Sequence, residues 1–239
     1  IVKRDDIYFH TDAVQAVNYL DLNIERLGVD MLTLSGSKVE GAGRVAVLYK
    51  KKSVPLFPIW GGGDQEGGLR PGTENLEAIL KFSLALKASQ SIKEKEARRL
   101  TILRDHFFKT LRQNFFFSGS RFSSAAASAR PFKKERLAML VNGDLENRLP
   151  NNVNITFPKI PSDLLVIELS ARGIMASSKS ACKSSKEEGS YVIKALRPDA
   201  DPEIGGVRFS LGRSTTKKDI DYTVRELSKI LLKLEKWYD

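Results

Sequence analysis

The single cysteine of this 239-residue chain, Cys182, lies in the polar stretch SSKSACKSSKEEGS at positions 177–190. Free cysteine is usually buried among apolar side chains, so a setting rich in serine and lysine is unusual for a structural thiol. Neighbouring cations favour the thiolate, which is the nucleophilic form of cysteine; here they are Lys179, Lys183 and Lys186. The stretch therefore favours a thiol that another molecule has to reach, over a cysteine placed there by chance.

A lysine with potential covalent chemistry follows an apolar run in the first part of the chain. Lys38 comes three residues after MLTLS, residues 31–35, which is typical of a strand. Ligands of open α/β sheets bind beyond the carboxyl ends of the strands, and an amine there can form a Schiff base with a carbonyl cofactor. Position alone favours an ordinary surface lysine, so both interpretations stay open at this point.

A carboxylate and an amide follow the first apolar run in the same way. Asp12 and Gln15 belong to HTDAVQA, residues 10–16, directly after the predicted strand at 7–9. A buried aspartate in such a place can pair with the protonated ring nitrogen of pyridoxal phosphate. It can equally cap a following helix, and the sequence does not decide between the two roles.

Two further residues suit anionic groups. Thr73 lies near the end of the glycine-rich stretch 60–75. Backbone N–H groups and the start of a helix could approach a phosphate there, although the composition alone indicates only a loop. Arg208 lies in GVRFSLGR, residues 206–213, whose alternation is typical of a half-buried strand. Its planar fork suits a carboxylate ligand, and a structural ion pair explains it equally well.

The elements that must position these residues alternate between strands and helices. Apolar runs predict strands at 7–9, 31–35 and 45–49, and the last two lack polar alternation, as strands buried on both faces do. The proline-free segment 74–114 is predicted to form one or two helices, and a domain hinge is expected there.

The rest of the chain continues the alternation after a stretch rich in serine, alanine and arginine. Residues 117–135 are predicted to be a surface excursion, with the character of an insertion. Thr216 and Asp219 can cap a final helix that carries one apolar stripe. The remaining predicted elements are a strand at 153–157, a helix at 162–173 ended by Gly173, and strands at 173–177 and 206–212. An α/β layered fold follows from this order.

Composition narrows the classes of function. The chain is 41% hydrophobic and 28% charged, as in soluble globular proteins, and no apolar run is long enough to cross a bilayer. With one cysteine and no export signal, the cytoplasm is the expected compartment. The formal charge of +10 raises the question of nucleic acid, but no recognised nucleic-acid module is visible, and an acidic partner protein or anionic ligands would explain the charge equally well.

Five stretches, taken together and in order, resemble the NifS/IscS-type cysteine desulfurases of the class V aminotransferase group. They span nearly the whole chain: HTDAVQ, SGSK, GLRPGTEN, SSKSACKSS followed by SYVIKAL, and VRFSLGRSTTKKDIDYT. The resemblance implies the pyridoxal-phosphate fold type I. It further implies that this chain corresponds to the C-terminal portion of such an enzyme, with residues 1–92 from the large cofactor-binding domain and 93–239 forming the small domain.

The resemblance also implies a cofactor site for pyridoxal 5'-phosphate. Lys38 would carry the cofactor on its amine, Asp12 would pair with the ring nitrogen, and Gln15 would donate to the phenolic oxygen. Ser35 and Ser37 would contact the phosphate. Ser37 stands where the family usually has histidine, so an imidazole is missing from this position.

The remaining roles concern the substrate and the partners. Thr73 would serve the phosphate of a second subunit, which implies a homodimer, and Arg208 would bind the carboxylate of L-cysteine. Cys182 would accept the substrate sulfur as a persulfide and pass it to an acceptor or an iron–sulfur scaffold protein. Because the front half of the family's site does not precede Ile1, the chain as it stands is expected to be inactive. Rival interpretations are a selenocysteine lyase, another class V enzyme, or a non-catalytic remnant that binds partners.

Overall fold

The chain divides into two compact units, residues Ile1–Ala97 and Arg98–Asp239. The computed structural model describes residues 7–117, 138–158, 160–178, 191–196 and 205–238. The sequence-based division between residues 92 and 93, and its assignment to a large and a small domain, remain predictions. No helix in the described part of the chain combines the length and the apolar character needed to cross a bilayer.

The first unit is built on a three-stranded sheet. Strand β1 (His10–Asp12) runs parallel to β2 (Met31–Ser35), and β2 pairs antiparallel with β3 (Ala46–Lys50). Between β1 and β2 lies the short helix α1 (Ile24–Leu27), capped by the side chain of Asn23. The observed bounds of the central strand β2, Met31–Ser35, are the predicted ones.

Two predictions for this sheet are wrong. Residues 7–9 were expected to be a strand, but the ladder starts only at His10, because its parallel partner starts at Met31. The last strand was expected to be buried on both faces, yet Val47 is 38% and Leu48 50% exposed. Within the described residues β3 is an edge strand that pairs with β2 alone. Much of its apolar surface is uncovered.

A single long helix, α2 (Leu76–Asn114), contributes Phe82 to the core of the first unit and extends past residue 97 into the range of the second. It begins three residues after Thr73, and its first turn is capped by Asn75, whose Oδ1 accepts a hydrogen bond of 3.0 Å from the backbone N–H of Ala78. Two small clusters of buried side chains form this core; they are Val17, Val39, Ala42 and Phe82, and Ala13, Val29 and Leu32.

The second unit is a five-stranded sheet in the order β4-β5-β6-β8-β7. The pair β4–β5 is parallel and the other neighbouring pairs are antiparallel. Its elements, apart from the end of α2, are β4 (Phe116–Phe117), β5 (Ala138–Val141), β6 (Asn152–Thr156), α3 (Ser162–Ser170), β7 (Ser177–Ser178), α4 (Tyr191–Leu196), β8 (Val207–Ser210) and α5 (Lys217–Tyr238). Residues 118–135 of the expected excursion lie outside the described residues.

Alternation along β8 separates an apolar face from a polar face. Val207 and Phe209 are at most 4% exposed, and the Phe209 ring lies 5.2 Å from that of Phe107 on α2. Arg208 and Ser210 point to the opposite face. The predicted apolar stripe of the last helix is confirmed, because its five members are at most 5% exposed; they are Ile220, Val224, Leu227, Leu231 and Leu234.

The predicted strand at 173–177 is wrong for most of its length. Gly173 adopts a left-handed backbone (φ 73°), and the N–H of Ile174 donates to the carbonyl of Leu169, so these residues close the end of α3. Strand pairing begins only at Ser177.

The predicted cap of the last helix is confirmed. The backbone N–H of Thr216 donates to Asp219 Oδ2 at 2.8 Å, and the N–H of Asp219 donates back to Thr216 Oγ1 at 3.3 Å. The hydroxyl of Thr216 also donates to Asp219 Oδ2 at 2.7 Å, and this bond, together with that from the backbone N–H of Thr216, holds the pKa of Asp219 below its ordinary value.

Candidate functional site

Four of the predicted site residues meet at one edge of the first sheet. Asp12 ends β1 and Ser35 ends β2, and because the two strands are parallel, both carboxyl ends lie at the same edge. Ser37 and Lys38 follow Ser35 in a short 3₁₀ turn at that edge. This is the place where open α/β sheets bind ligands.

The two serines of this turn contact each other. Ser35 Oγ and Ser37 Oγ lie 2.9 Å apart, and Ser35 Oγ also accepts from the backbone N–H of Ser37 at 3.3 Å. Between them, Gly36 packs so closely on the following loop that an added Cβ would lie 2.7 Å from the carbonyl oxygen of Gly43. When one of these hydroxyls donates to the other, the second keeps a rotatable proton that can donate to an anionic oxygen.

The backbone of Lys38 is fixed from two sides, while its side chain is exposed. The next residue, Val39, is 2% exposed within the core. Asn18 Nδ2 donates to the carbonyl oxygen of Lys38 at 2.5 Å, and Asn18 Oδ1 accepts from Ser89 Oγ of α2 at 2.6 Å. Asn18 was not predicted from the sequence, because a polar residue in an irregular turn carries no distinguishing pattern.

Asp12 performs the local role that its sequence context allowed. Its Oδ1 accepts a hydrogen bond of 3.0 Å from the backbone N–H of Val14 and so fixes the turn after β1. Such a bond occupies one lone pair, which leaves the carboxylate able to accept from a ligand as well. Gln15, three residues on, has an exposed side chain.

Thr73 is not joined to this edge by any hydrogen bond among the described residues. It is exposed and lies between the 3₁₀ helix Gln65–Gly68 and the start of α2. Its role in the phosphate site of a second subunit therefore stays a prediction.

Arg208 lies in the second unit, on the polar face of β8. It is half-buried and stands directly opposite Asn154 of β6 on one side and Ser177 of β7 on the other. Cys182 lies outside the described residues, but β7 ends at Ser178, four residues before it in the chain.

A network of buried polar side chains adjoins Arg208, and it was not predicted from the sequence. Asn142 Nδ2 donates to Asn154 Oδ1 at 2.9 Å and to Thr156 Oγ1 at 2.8 Å. Asn142 and Thr156 are 4% and 3% exposed. Gly206 allows this approach, since an added Cβ there would lie 2.4 Å from Asn154 Oδ1 and 3.2 Å from Ile193 Cδ1 of α4.

Two arginines donate hydrogen bonds to the loops at this sheet. Arg148 donates to the carbonyl oxygen of Asn142 and to Asn152 Oδ1, and burial lowers its pKa from the ordinary value. Arg99 of α2 donates to the carbonyl oxygens of Gly212 and Thr215 at 3.0 and 2.8 Å, in the loop that follows β8. Both contacts satisfy carbonyl groups that the strands leave unpaired.

Comparison with known proteins gives matches that agree with one another. Residues 1–118 match the family described as Aminotransferase class-V. The chain is 37% identical over 234 residues to the cysteine desulfurase IscS of Dictyoglomus turgidum, covering 98% of this chain and 54% of that protein. It is 35% identical over 228 residues to the cysteine desulfurase NifS of Azotobacter vinelandii, covering 95% and 52%.

Solved structures agree with the sequence relatives. A NifS-like protein superposes with a TM-score of 0.77 at 27% identity, covering 97% of this chain and 54% of that one. The fold is therefore that of the NifS-like proteins, and the expected fold class, pyridoxal-phosphate fold type I, is confirmed. In sequence the chain is similar to the cysteine desulfurases IscS and NifS over nearly its whole length. It spans about half the length of the curated relatives it matches.

Proposed function

We propose that the protein carrying this chain is a pyridoxal-phosphate-dependent cysteine desulfurase that supplies sulfur for iron–sulfur cluster assembly or tRNA thiolation. The observation that carries the proposal is the pairing of β7 with β8, which sets Ser177 opposite Arg208 in a homologue of cysteine desulfurases. The strand that bears the candidate substrate anchor is thus hydrogen-bonded to the strand that leads to Cys182 along the chain.

The residues at the edge of the first sheet fit the proposed cofactor. A lysine amine, a carboxylate and two hydroxyls are the groups that a carbonyl, a pyridinium nitrogen and a phosphate require, and the tight turn at Gly36 brings backbone close to that edge. Lys38 would hold the cofactor, with Asp12 and Gln15 toward the ring and Ser35 and Ser37 toward the phosphate. When bound, the cofactor supplies an electron sink for bond cleavage in the amino acid.

The chain's own residues would divide the remaining work. Arg208 would bind the substrate carboxylate through its planar fork and fix the orientation of L-cysteine. The Cys182 thiolate would attack the substrate sulfur, so that an S–S bond forms as the substrate's C–S bond breaks. The released carbon takes a proton, for which the Lys38 amine is the proposed donor, and L-alanine leaves while Cys182 keeps a persulfide.

A homodimer is part of the proposal. The first unit exposes several large apolar side chains in the segment that precedes Thr73 in the chain, including Phe57 at 83%, Ile59 at 86% and Trp60 at 68%. Exposed apolar side chains in such numbers are typical of a surface that another chain covers. We assign that role to a second subunit, to whose phosphate site Thr73 would contribute, and we expect a cytoplasmic sulfur acceptor as the further partner.

The experiment that tests this function follows sulfur from substrate to thiol. The complete protein, supplied with pyridoxal phosphate and L-cysteine, should release alanine and leave one extra sulfur atom on the peptide containing Cys182, as read by mass spectrometry. Cys182→Ser should abolish sulfide release and should still bind the cofactor, because a serine hydroxyl is too weak an acid to replace the thiolate. Turnover near that of the wild type in this variant would refute the proposal.

A further inference from the structure

The polar face of the second sheet carries a side chain beside Arg208 that the proposed mechanism does not yet use. Asn154 of β6 lies directly opposite Arg208 of β8 in the antiparallel register. Residues directly opposite each other on neighbouring strands project to the same face with their Cβ atoms about 5 Å apart. Arg208 and Asn154 can therefore face one ligand on this side of the sheet.

The carboxamide of Asn154 has a fixed orientation. Its Oδ1 accepts the hydrogen bond from Asn142 Nδ2, and Asn142 is held in turn by Thr156 Oγ1. The bare backbone of Gly206 leaves room for these two amides, because any Cβ at this position would overlap Asn154 Oδ1. Since the oxygen faces Asn142, the Nδ2 group of Asn154 is directed away from it.

Neither donor is satisfied within the described part of the chain. Asn154 Nδ2 has no acceptor there, and the side chain of Arg208 makes no hydrogen bond or ion pair with another described residue. A half-buried guanidinium and an oriented amide N–H on one face together suit a group with two anionic oxygens, and a carboxylate has that geometry.

We propose that Asn154 is a second carboxylate-binding residue, whose Nδ2 donates to the substrate carboxylate held by Arg208, and that Asn142 is the positioning residue that orients it. The inference rests on the proposed function, in that L-cysteine is taken as the substrate. It adds a contact that discriminates amino acids from amines that lack a carboxylate.

Asn154→Asp tests this contact with little change in shape. The variant keeps an oxygen for Asn142 and replaces the donor by a carboxylate oxygen, which repels the substrate carboxylate. In the complete, cofactor-loaded protein, the KM for L-cysteine should rise at least about tenfold, as expected for the loss of a hydrogen bond to a charged group. Asn152→Asp is the matched control, because it adds the same charge on the same face two residues away, where Asn152 Oδ1 accepts from Arg148; its KM should stay within about twofold of the wild type.

A binding measurement separates this inference from the desulfurase function. With asparagine labelled by ¹⁵N, the side-chain resonances of Asn154, assigned by their loss in Asn154→Asp, should shift on titration with L-alanine and not with L-alaninamide. Sulfide release by the wild type with unshifted resonances, or an unchanged KM in Asn154→Asp, would overturn the role of Asn154 and leave the function standing. Shifted resonances without sulfide release would overturn the function and support the carboxylate site. If the wild type showed neither shifted resonances nor sulfide release, both the role of Asn154 and the function would be overturned.

Discussion

Asn18 joins the turn that holds Lys38 to the long helix of the first unit. Its Nδ2 donates at 2.5 Å to the carbonyl oxygen of Lys38, and its Oδ1 accepts from Ser89 Oγ, which is 2% exposed. One side chain thus links residues that are 71 positions apart in the chain, Asn18 and Ser89. This link holds the backbone of the turn that carries the candidate cofactor lysine.

Asn18→Ala should loosen the lysine without removing it. The loss of two hydrogen bonds, one to a nearly buried hydroxyl, should lower the free energy of unfolding by about 1–3 kcal/mol. Retention of pyridoxal phosphate through dialysis should fall, as measured by the absorbance of the bound cofactor. Ser91→Ala, which removes only a local bond to the carbonyl of Ala88 on the same helix, is the control. Equal cofactor retention in the two variants would contradict a positioning role.

Lys38→Ala should abolish the absorbance of the bound cofactor, because the amine that carries the carbonyl group is gone. Lys52→Ala removes another exposed lysine of the first unit and should leave the absorbance unchanged. Both spectra are to be recorded on the complete protein after dialysis. If borohydride reduction still linked the cofactor to a different lysine in Lys38→Ala, the assignment of Lys38 would fail.

The elements that the sequence predicted best are those with local signals. Met31–Ser35 forms a strand with the predicted bounds, and the cap pair Thr216 and Asp219 starts the last helix as expected. Local chemistry decides both cases, through a short apolar run in the first and a reciprocal side-chain cap in the second.

The failures have a different origin. Residues 7–9 have strand composition, but the register of a parallel partner decides where the ladder begins, and that register is not encoded locally. Asn142 and Asn154 meet only because β5 and β6 are neighbours and because Gly206 leaves room for them. Polar contacts between distant strands have no periodic signature, so the sequence could suggest Arg208 but not its neighbours.

Arg208→Lys separates charge from geometry at the candidate substrate anchor. Lysine keeps the positive charge and loses the planar fork, so the KM for L-cysteine should rise by about tenfold, and Arg208→Ala should raise it further. The turnover number should change less than the KM, because a carboxylate contact is made in the ground state as well as in the transition state. Steady-state kinetics of both variants provides the measurement. Equal KM values in wild type and Arg208→Ala would make Arg208 structural.

The ion pairs between α3 and α5 make the second unit sensitive to acid. Hydrogen bonds from Lys233 and then Arg172 hold the pKa of Glu168 below its ordinary value of 4.5. A carboxyl whose pKa is lower in the folded state stabilises the fold above its unfolded pKa, and this contribution disappears as the pH falls through the folded pKa. Urea unfolding should therefore show a loss of stability as the pH drops below about 4.5.

Lys233→Met tests the source of that dependence. At pH 7 it should cost less than about 1 kcal/mol, since the pair is partly exposed, and the cost should be smaller at an acidic pH at which Glu168 is protonated. Lys236→Met, an exposed lysine farther along the same helix, controls for the loss of a positive charge. An equal cost of Lys233→Met at both pH values would show that the Glu168 pair does not contribute.

Gly206→Ala should disrupt the polar network beside Arg208. The added Cβ would lie 2.4 Å from Asn154 Oδ1 and 2.7 Å from Asn142 Nδ2, so both amides have to move within a region that is largely buried. Overpacking of this kind costs about 1–3 kcal/mol, and the displaced Asn154 should also weaken the binding of L-alanine. Gly212→Ala is the matched control, because nothing lies within 4 Å of a Cβ at that position of the following loop, and it should be neutral or slightly stabilising through the unfolded chain. Urea unfolding and calorimetric titration with L-alanine measure the two effects. Equal stability of the two variants would mean that the amides do not depend on the bare backbone of Gly206.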